Sequence, residues 1–252
     1  MLRGFGLLIR VLHTLLIWLS AITVIIASWF VCPILTLLGF NTLAVYHGAI
    51  VSMARVVLFV TGCKRIYEGI ENFPQKGPVI FIANHQSIYD TFMLEHLPFR
   101  FRFLMDSWLA RWPFYGKLCL KAGYITINEK SPSDCTRAAM DVIHLLNRGE
   151  SFVIFPEGER SRNGQVKEFH DGIALIVLAA KVPVIPIAFW GSGKVLRRGG
   201  FLAHPGPIKM RIGKPMTFEN YPEINTIAVK EVKAQLRNRI VEMLSEMESN
   251  PK

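Results

Sequence analysis

The pattern of hydrophobic and polar positions divides the chain into two parts. Between Arg10 and Arg55 the sequence contains no Asp, Glu, Lys or Arg, and Leu, Ile, Val, Trp and Phe are frequent. From about Lys64 onward, charged and apolar residues are mixed as in an ordinary globular protein. This pattern predicts an N-terminal membrane-anchoring segment at residues 1–62 and a globular domain at residues 63–252.

The N-terminal apolar tract is too long for a secretory signal peptide, and no convincing cleavage site ends it. Leu15–Leu35 alone supplies the about 20 apolar residues that a membrane-spanning helix needs. We expect Pro33 to break the tract, and a second apolar piece continues through Val60. A single span and a helical hairpin that dips into one leaflet both fit, whereas a buried core helix fits less well.

Basic residues flank this tract on both sides. Arg3 and Arg10 precede it, and Arg55, Lys64 and Arg65 follow it. Because cytoplasmic flanks of membrane segments carry the excess of Lys and Arg, the distribution mildly favours a hairpin with both ends in the cytoplasm.

After Arg65, short apolar runs alternate with helical stretches. The predicted strands are Pro78–Ala83, Phe101–Met105, Tyr124–Ile127, Phe152–Phe155, Val184–Phe189 and, late in the chain, Lys209–Ile212. The predicted helices are Tyr89–Leu97, Ser107–Lys121, Ser133–Asn147, Gly172–Lys181 and an amphipathic C-terminal helix at Thr226–Glu248. Alternating strands and helices predict an α/β fold with a mostly parallel central sheet flanked by helices.

Charge and cysteine content narrow the range of partners. The chain has 29 Lys and Arg against 19 Asp and Glu, a formal charge of +10 that suits phosphorylated substrates or an anionic membrane surface. No basic run is interleaved with aromatic residues as in a nucleic-acid groove, so we expect no nucleic-acid partner. The four cysteines have no zinc-type spacing, and we expect no metal.

The first segment that carries candidate chemistry is Asn84-His85-Gln-Ser-Ile-Tyr-Asp90, directly after a predicted buried strand. Ligands of open α/β sheets bind at the carboxyl ends of strands. His85 and Asp90 bracket a strand-to-helix turn, so an Asp90 hydrogen bond could orient the imidazole as a general base. Considered by itself, this spacing also fits an ordinary hydrogen bond within a loop.

The second segment is Phe155-Pro156-Glu157-Gly158-Glu159-Arg160-Ser161, again after a predicted strand. The Arg160 guanidinium suits a phosphate, and Gly158 allows backbone amides to approach one closely. A solvated surface turn is the alternative, which for Arg160 is equally compatible with the sequence.

Together the two segments, about seventy residues apart, resemble the 1-acyl-sn-glycerol-3-phosphate acyltransferase family in its Asn-His-x4-Asp and Phe-Pro-Glu-Gly-x-Arg-Ser blocks. Val182-Pro-Val-Ile-Pro-Ile187 is similar to the family's late Val-Pro-x-x-Pro block. The resemblance extends from about Lys64 to Gly213, and a hydrophobic N-terminal anchor also fits the family.

The resemblance implies a reaction and a set of roles. A fatty acyl group would move from acyl-carrier protein or coenzyme A to the hydroxyl of a lysophospholipid, with no cofactor, and the domain would face the cytoplasm from the membrane. His85 would be the base and Asp90 its orienting partner, while Pro186 would shape the acyl-donor side. The residues implied to bind the acceptor are Asn84, Glu157, Gly158, Arg160 and Ser161.

Three positions depart from the family pattern. Asp106 lies in a stretch where the family has Lys and Glu, Glu129 stands where it has an Arg, and His170 where it has a Lys. A basic phosphate ligand is therefore missing. The nearby cations available to replace it are Arg100, Arg102, Arg111, Lys117 and Lys121. One alternative to lysophosphatidic acid as the acceptor is a different lysolipid, including one with a positively charged head group. Two alternatives to an acyltransferase are a thioesterase and a non-catalytic lipid-binding protein.

Overall fold

The computed structural model describes residues 2–74 and 76–249. Residue 1 of the predicted anchoring segment, and residues 250–252 of the predicted globular domain, lie outside this part. The described chain forms a hairpin of two long helices followed by an α/β domain, which confirms the predicted fold class.

The hairpin consists of α1 (Leu2–Leu37) and α2 (Thr42–Thr61). Asn41 caps α2, because its side chain accepts a hydrogen bond from the Ala44 N–H at 3.0 Å. His13 Nε2 lies 2.9 Å from the Val60 carbonyl oxygen, so the start of α1 meets the end of α2. The two helices are therefore antiparallel, as in the predicted hairpin.

The expectation that Pro33 breaks the apolar tract is wrong, because α1 continues through Pro33 to Leu37. Proline removes one backbone hydrogen bond, which a long apolar helix tolerates where its neighbours and side chains satisfy the freed groups. The turn comes later, at residues 38–41, where Gly39 has a φ of +91°.

Seven strands form the sheet, in the order β1-β7-β6-β2-β5-β3-β4. They are β1 (Arg65–Glu68), β2 (Ile80–Ala83), β3 (Arg102–Asp106), β4 (Ile125–Ile127), β5 (Phe152–Ile154), β6 (Val184–Trp190) and β7 (Ile208–Ile212). Every neighbouring pair is parallel except β6 with β7. The sheet is thus mostly parallel, as predicted, and the late strand is present.

Helices cover both faces of this sheet. They are α3 (Ile88–Glu95), α4 (Ser107–Ala110), α5 (Tyr115–Lys121), α6 (Pro132–Asn147), α7 (Asp171–Ala180), α8 (Ser192–Val195) and α9 (Thr226–Ser249). Alternate residues of β2 enter two hydrophobic cores. Phe81 and Ala83 pack with residues of α2, α3 and α5, whereas Ile80 and Ile82 pack with α6, α7 and α9.

The prediction of a single helix at Ser107–Lys121 is wrong, because the structure has two separate helices there, α4 and α5. Pro113 has no N–H to donate, and Phe114 has a φ of +62°, which a continuous helix does not allow. The two pieces fold back closely, since a Cβ on Gly116 would lie 2.2 Å from the Ala110 carbonyl oxygen. β1 and the short α8 were not predicted.

The hairpin packs along the globular domain and shares its core. The Thr61 hydroxyl is 2.7 Å from the Tyr89 hydroxyl, and Thr14 of α1 accepts a hydrogen bond from the Ala203 N–H at 3.1 Å. The predicted boundary between an anchoring segment at residues 1–62 and a globular domain at residues 63–252 stays a prediction.

Both helices of the hairpin are long and apolar enough to cross a membrane. Many large apolar side chains of α1 are exposed, which suggests association with a membrane.

Candidate active site

The turn between β2 and α3 brings His85 and Asp90 together. Ser87 is the N-cap of α3 and Asp90 its third residue, and the two form a capping box. Asp90 Oδ2 accepts three hydrogen bonds, from His85 Nδ1 at 3.0 Å, from the Gln86 N–H at 2.7 Å and from the Ser87 N–H at 2.8 Å. The five-residue spacing thus follows from the start of a helix.

This arrangement determines the state of the imidazole. An ionised carboxylate only accepts hydrogen bonds, so the contact with Asp90 assigns the proton to His85 Nδ1. Nε2 is left with its lone pair. Asp90 is fully buried, while the His85 side chain is 17% exposed. His85 is therefore held as a base by a carboxylate that solvent does not reach.

Glu157 and Asn84 hold the backbone around this pair. Glu157 Oε1 accepts from the His85 N–H at 2.8 Å, and Oε2 accepts from the Lys167 N–H at 2.9 Å. Burial raises the pKa of Glu157, and these two backbone N–H groups oppose the rise. Asn84 exchanges two hydrogen bonds with the Phe189 backbone, at 2.7 and 3.0 Å, which ties the end of β2 to β6.

The Phe155 ring stacks on the His85 imidazole, with ring centroids 4.0 Å apart and an angle of 19° between the planes. Phe155 follows β5, which lies beside β2 in the sheet. Phe155 was predicted as the end of a strand, and this contact was not predicted. The available signal was its position at the carboxyl end of a strand, two residues before the glutamate that also contacts His85.

His85 lines a cavity of about 370 Å³, which we call the His85 cavity. Phe155, Gly158 and Arg160 line the same cavity, and we call the part that these three residues form with His85 its mouth. Gly158 has a φ of +69°, a conformation that favours glycine. The Arg160 side chain is partly buried and has no ion-pair partner among the residues that the structure describes. Burial lowers the pKa of Arg160, and the nearby Arg198 adds to this. An unpaired guanidinium in such a position favours a bound anion.

The three departures from the family pattern lie around this mouth. Glu129 and Asp106 line the His85 cavity, and His170 Nε2 is 3.7 Å from Glu129 Oε2. The Glu129 carboxylate lies next to Gly158, where a Cβ would be 2.4 Å from its oxygens. The mouth thus carries carboxylates beside Arg160.

The cation that lines the His85 cavity besides Arg160 is not one of those that the sequence suggested. Within the described residues, none of those five candidates lines the His85 cavity. Arg102 is paired with Glu150 at 2.8 Å. Arg198 does line the cavity, donates to the Arg160 carbonyl at 3.1 Å and forms an ion pair with Glu159. Arg198 follows the Val182–Ile187 block but belongs to none of the motifs, so no motif spacing predicted it.

The remaining predicted site residues, Asn84, Glu157, Ser161 and Pro186, do not line the His85 cavity. The Ser161 N–H donates to the His85 carbonyl at 2.7 Å, and its side chain lines a second, polar groove of about 850 Å³. Pro186 is buried in β6 and accepts from the Gly213 N–H at 2.8 Å. Among the described residues, Asn84, Glu157 and Pro186 line neither cavity, and their predicted contacts with substrate stay predictions.

The fold places a histidine held by a buried carboxylate at the carboxyl ends of parallel strands, where α/β enzymes bind their ligands. A family model described as Acyltransferase matches residues 64–190, half of the chain. The chain therefore belongs to the acyltransferase family, and the family assignment from the motifs is confirmed.

Individual relatives agree with this assignment. The chain is 32% identical over 155 residues to a chloroplastic 1-acyl-sn-glycerol-3-phosphate acyltransferase of Arabidopsis thaliana, covering 59% of this chain and 42% of the relative. It is 29% identical over 214 residues to a 1-acyl-sn-glycerol-3-phosphate acyltransferase of Pseudomonas aeruginosa, and the match covers 83% of this chain and 80% of the relative. The chain spans about half the length of the plant relatives.

A solved structure confirms the fold. The 1-acyl-sn-glycerophosphate (LPA) acyltransferase PlsC from Thermotoga maritima superposes with a TM-score of 0.80 at 21% identity, covering 95% of this chain and 97% of that one. The match includes the N-terminal helices as well as the α/β domain, since nearly all of both chains is covered.

Proposed function

We propose that the chain transfers a fatty acyl group from a thioester to the free hydroxyl of 1-acyl-glycerol-3-phosphate, which gives phosphatidic acid. The observation that supports this most is the position of His85 and Arg160 at the mouth of one cavity. A base beside an unpaired guanidinium suits a hydroxyl carried near a phosphate. Relatives named for this reaction, among them the Pseudomonas aeruginosa protein, support the same acceptor.

The reaction proceeds by direct attack. As the acceptor oxygen bonds to the thioester carbonyl carbon, His85 Nε2 takes the hydroxyl proton, and Asp90 stabilises the imidazolium. The carbonyl re-forms when the carbon–sulfur bond breaks, and the thiolate takes the proton from Nε2. An ester and a free thiol result, and His85 returns to its starting state. No acyl-enzyme forms in this sequence.

The distal part of the His85 cavity suits the acyl chain. Its walls are mostly apolar and include Ile50 and Met53 of α2, Phe92 of α3 and Phe103 of β3. A fatty acyl chain that enters here removes apolar surface from water. Because α2 supplies part of the wall, the membrane-anchoring hairpin also contributes to binding of the chain.

The donor's phosphate-bearing arm suits the second groove, which we call the basic groove and define by Arg162, Lys194, Arg197 and Arg237. Gln86, which follows the base, and Arg198, which lines both cavities, connect it to the reaction site. Acyl-carrier protein and coenzyme A both present an anionic arm that these cations attract.

The hairpin supports a particular placement in the membrane. α2 ends only three residues before β1, and α1 packs along the domain through Trp18 near Phe201 and Trp29 near Phe114. We place the hairpin in one leaflet, with the domain on the cytoplasmic side, where both substrates are available.

A second acceptor class is favoured by the carboxylates at the mouth. Glu129 and Asp106 face the same cavity as Arg160, so a head group with both a phosphate and a cationic group would meet complementary charges. This candidate keeps the reaction and changes only the acceptor.

The test is a product assay with purified protein in mixed micelles, a labelled acyl thioester, lysophosphatidic acid and a panel of lysophospholipids. Phosphatidic acid as the main product supports the first proposal. Preference for a zwitterionic lysolipid supports the second, and Glu129→Arg should then shift the preference toward lysophosphatidic acid, whereas Glu129→Gln should shift it less. Free fatty acid as the only product indicates a thioesterase. Lipid binding without any product indicates a lipid-binding protein.

A further inference from the structure

A second arginine lies next to Arg160. Arg198, in the loop after α8, lines the His85 cavity together with Arg160 and also lines the basic groove. Its Nη1 donates to the Arg160 carbonyl at 3.1 Å, although the two residues are 38 positions apart in the chain. Two guanidinium groups therefore line the cavity that contains the base.

The backbone around Arg198 is held from both sides. Before it, the buried Ser87 hydroxyl, at the N-cap of α3, donates to the Leu196 carbonyl at 2.8 Å. After it, the Ala203 N–H donates to the Thr14 hydroxyl of α1 at 3.1 Å. The first contact fixes the loop to the turn that bears the base, and the second fixes it to the hairpin. A loop that is already ordered loses less entropy when one of its side chains binds a ligand.

The protein uses only part of the Arg198 guanidinium. Its Nη1 forms an ion pair with Glu159, and Glu159 is also paired with Lys167, so one carboxylate serves two cations. Within residues 2–74 and 76–249, Nε and Nη2 of Arg198 have no hydrogen-bond or ion-pair partner. Neither nitrogen is buried, and both carry N–H groups, so both can donate to a ligand from solvent.

The cations at this place exceed the carboxylates that pair with them. Arg160 has no ion-pair partner in the described part of the chain, and Arg198 shares its partner with Lys167. Glu129 lines the same cavity, but its ion-pair contact is with His170. Two neighbouring cations repel each other, and an anion bound between them offsets this repulsion. The arrangement therefore suits an anionic ligand held by both guanidinium groups.

A terminal phosphate fits two guanidinium groups better than a phosphodiester does. At neutral pH a terminal phosphate carries a charge of about −1.5 to −2 and offers three acceptor oxygens. A phosphodiester has less charge and one free oxygen fewer, because a second alcohol is attached. Each guanidinium can bind two oxygens through parallel hydrogen bonds. Glu129 stands where the family has an arginine, so Arg198 supplies the missing charge from another part of the chain.

We propose that Arg198 binds the acceptor's phosphate together with Arg160 and thereby selects a terminal phosphate over a phosphodiester. The inference rests on the proposed acyl transfer and decides between the two acceptor classes considered for it. Arg198 also lines the basic groove, so binding of the donor's phosphates is the competing role, and the experiment separates the two.

The test compares lysophosphatidic acid with lysophosphatidylglycerol, a phosphodiester that has the same acyl chain and no cationic group. The purified full chain in mixed micelles receives each acceptor at varied concentration with a saturating coenzyme A thioester, and the thioester is then varied at a fixed acceptor concentration. Wild type should have the higher kcat/KM for lysophosphatidic acid. We expect Arg198→Gln to raise KM for lysophosphatidic acid about tenfold or more, because a charge-assisted hydrogen bond is lost. KM for lysophosphatidylglycerol should rise less, and KM for the thioester should not change.

Two further variants control for charge and folding. Arg198→Lys keeps the positive charge but loses the planar fork, so its acceptor KM should rise less, and this variant decides if Arg198→Gln does not fold. Arg239→Gln is the matched control, because Arg239 is paired with Glu242 on α9 and, in the described structure, lines neither cavity. Its KM values should equal those of wild type.

The outcomes separate this inference from the proposed function. Transfer to lysophosphatidic acid with an unchanged acceptor KM in the folded Arg198 variants overturns the inference and leaves the proposed function intact. A rise confined to KM for the thioester assigns Arg198 to the donor and also overturns it. An equal rise for both acceptors contradicts the selection of a terminal phosphate. Absence of transfer by wild type to either acceptor overturns both proposals.

Discussion

Replacing Asp90 by Asn removes a charge and leaves the shape of the site nearly unchanged. Asn can still accept from the Gln86 and Ser87 N–H groups, which lie 2.7 and 2.8 Å from the carboxylate oxygen. It can no longer offer a carboxylate to the imidazolium that forms at His85 as the acceptor loses its proton. The variant therefore tests the charge on Asp90 with little change in packing.

The size of the expected loss in kcat follows from the hydrogen bond at 3.0 Å between His85 and Asp90. A hydrogen bond to a charged group contributes about 1.5–3 kcal/mol, and every 1.36 kcal/mol of barrier is about tenfold in rate. We therefore expect Asp90→Asn to lower kcat by about 10- to 150-fold, because the interaction strengthens only as the imidazole becomes charged. KM for the acceptor should change little.

The assay is the initial rate of acyl transfer in mixed micelles, with thermal unfolding of each variant measured in parallel. Asp141→Asn is the matched control, because Asp141 is exposed on α6 and pairs only with Arg137 among the residues that the structure describes. A folded Asp90→Asn variant with a rate within about threefold of wild type would refute the role given to the pair.

Three further variants test other parts of the molecule. Arg160→Ala should raise KM for a phosphate-bearing acceptor by about tenfold or more, because a charge-assisted hydrogen bond is lost; an unchanged KM in steady-state kinetics would contradict phosphate binding there. Gly116→Ala should lower the free energy of unfolding by about 1–3 kcal/mol, since its Cβ would lie 2.2 Å from the Ala110 carbonyl oxygen, whereas Gly172→Ala has open space around its Cβ and should be nearly neutral; equal melting temperatures would contradict this packing. Burial holds the pKa of Glu95 at about 8, above the ordinary 4.5, so the folded state keeps a proton that the unfolded chain releases. Wild-type stability should therefore fall as pH rises from about 4.5 to about 8, and Glu95→Gln should lack this loss; parallel pH profiles in urea unfolding would argue against a neutral Glu95.

The parts of the site that could be predicted from sequence are those in which contacting residues are close along the chain. His85 and Asp90 lie on either side of one helix start, so their spacing already implies the contact. Ser87 and Asp90 also form a capping box, a local signal that would have placed the start of α3 at Ile88 rather than Tyr89. Strands β2 to β7 were predicted because each contains a short apolar run, whereas β1, which begins and ends with charged residues, was not.

The contacts that the sequence did not reveal join residues far apart in the chain. Glu157 forms a hydrogen bond with the His85 backbone, and Phe155 stacks on the His85 ring, only because β5 lies beside β2. The sequence indicated strands without their order. Glu129 and His170 both depart from the family pattern, but they are about forty residues apart in the chain, and only the folded structure brings their side chains together.

One local rule, that proline breaks a helix, held at one proline and failed at another. Proline disfavours a helix interior, yet α1 passes through Pro33 and ends four residues later at Leu37. At Pro113 the same rule does break the helix, and Phe114 adopts a positive φ so that α5 can fold back on α4. The sequence alone does not distinguish these two prolines.

The role of His85 is tested by one comparison, in which wild type and His85→Ala receive a labelled acyl thioester and lysophosphatidic acid in the same micelles. We expect labelled phosphatidic acid from the wild type and a rate at least about 10²-fold lower from folded His85→Ala, the loss typical of a general base. Equal transfer by both proteins, or no diacyl product from the wild type with any lysophospholipid, would contradict base-catalysed acyl transfer at this site.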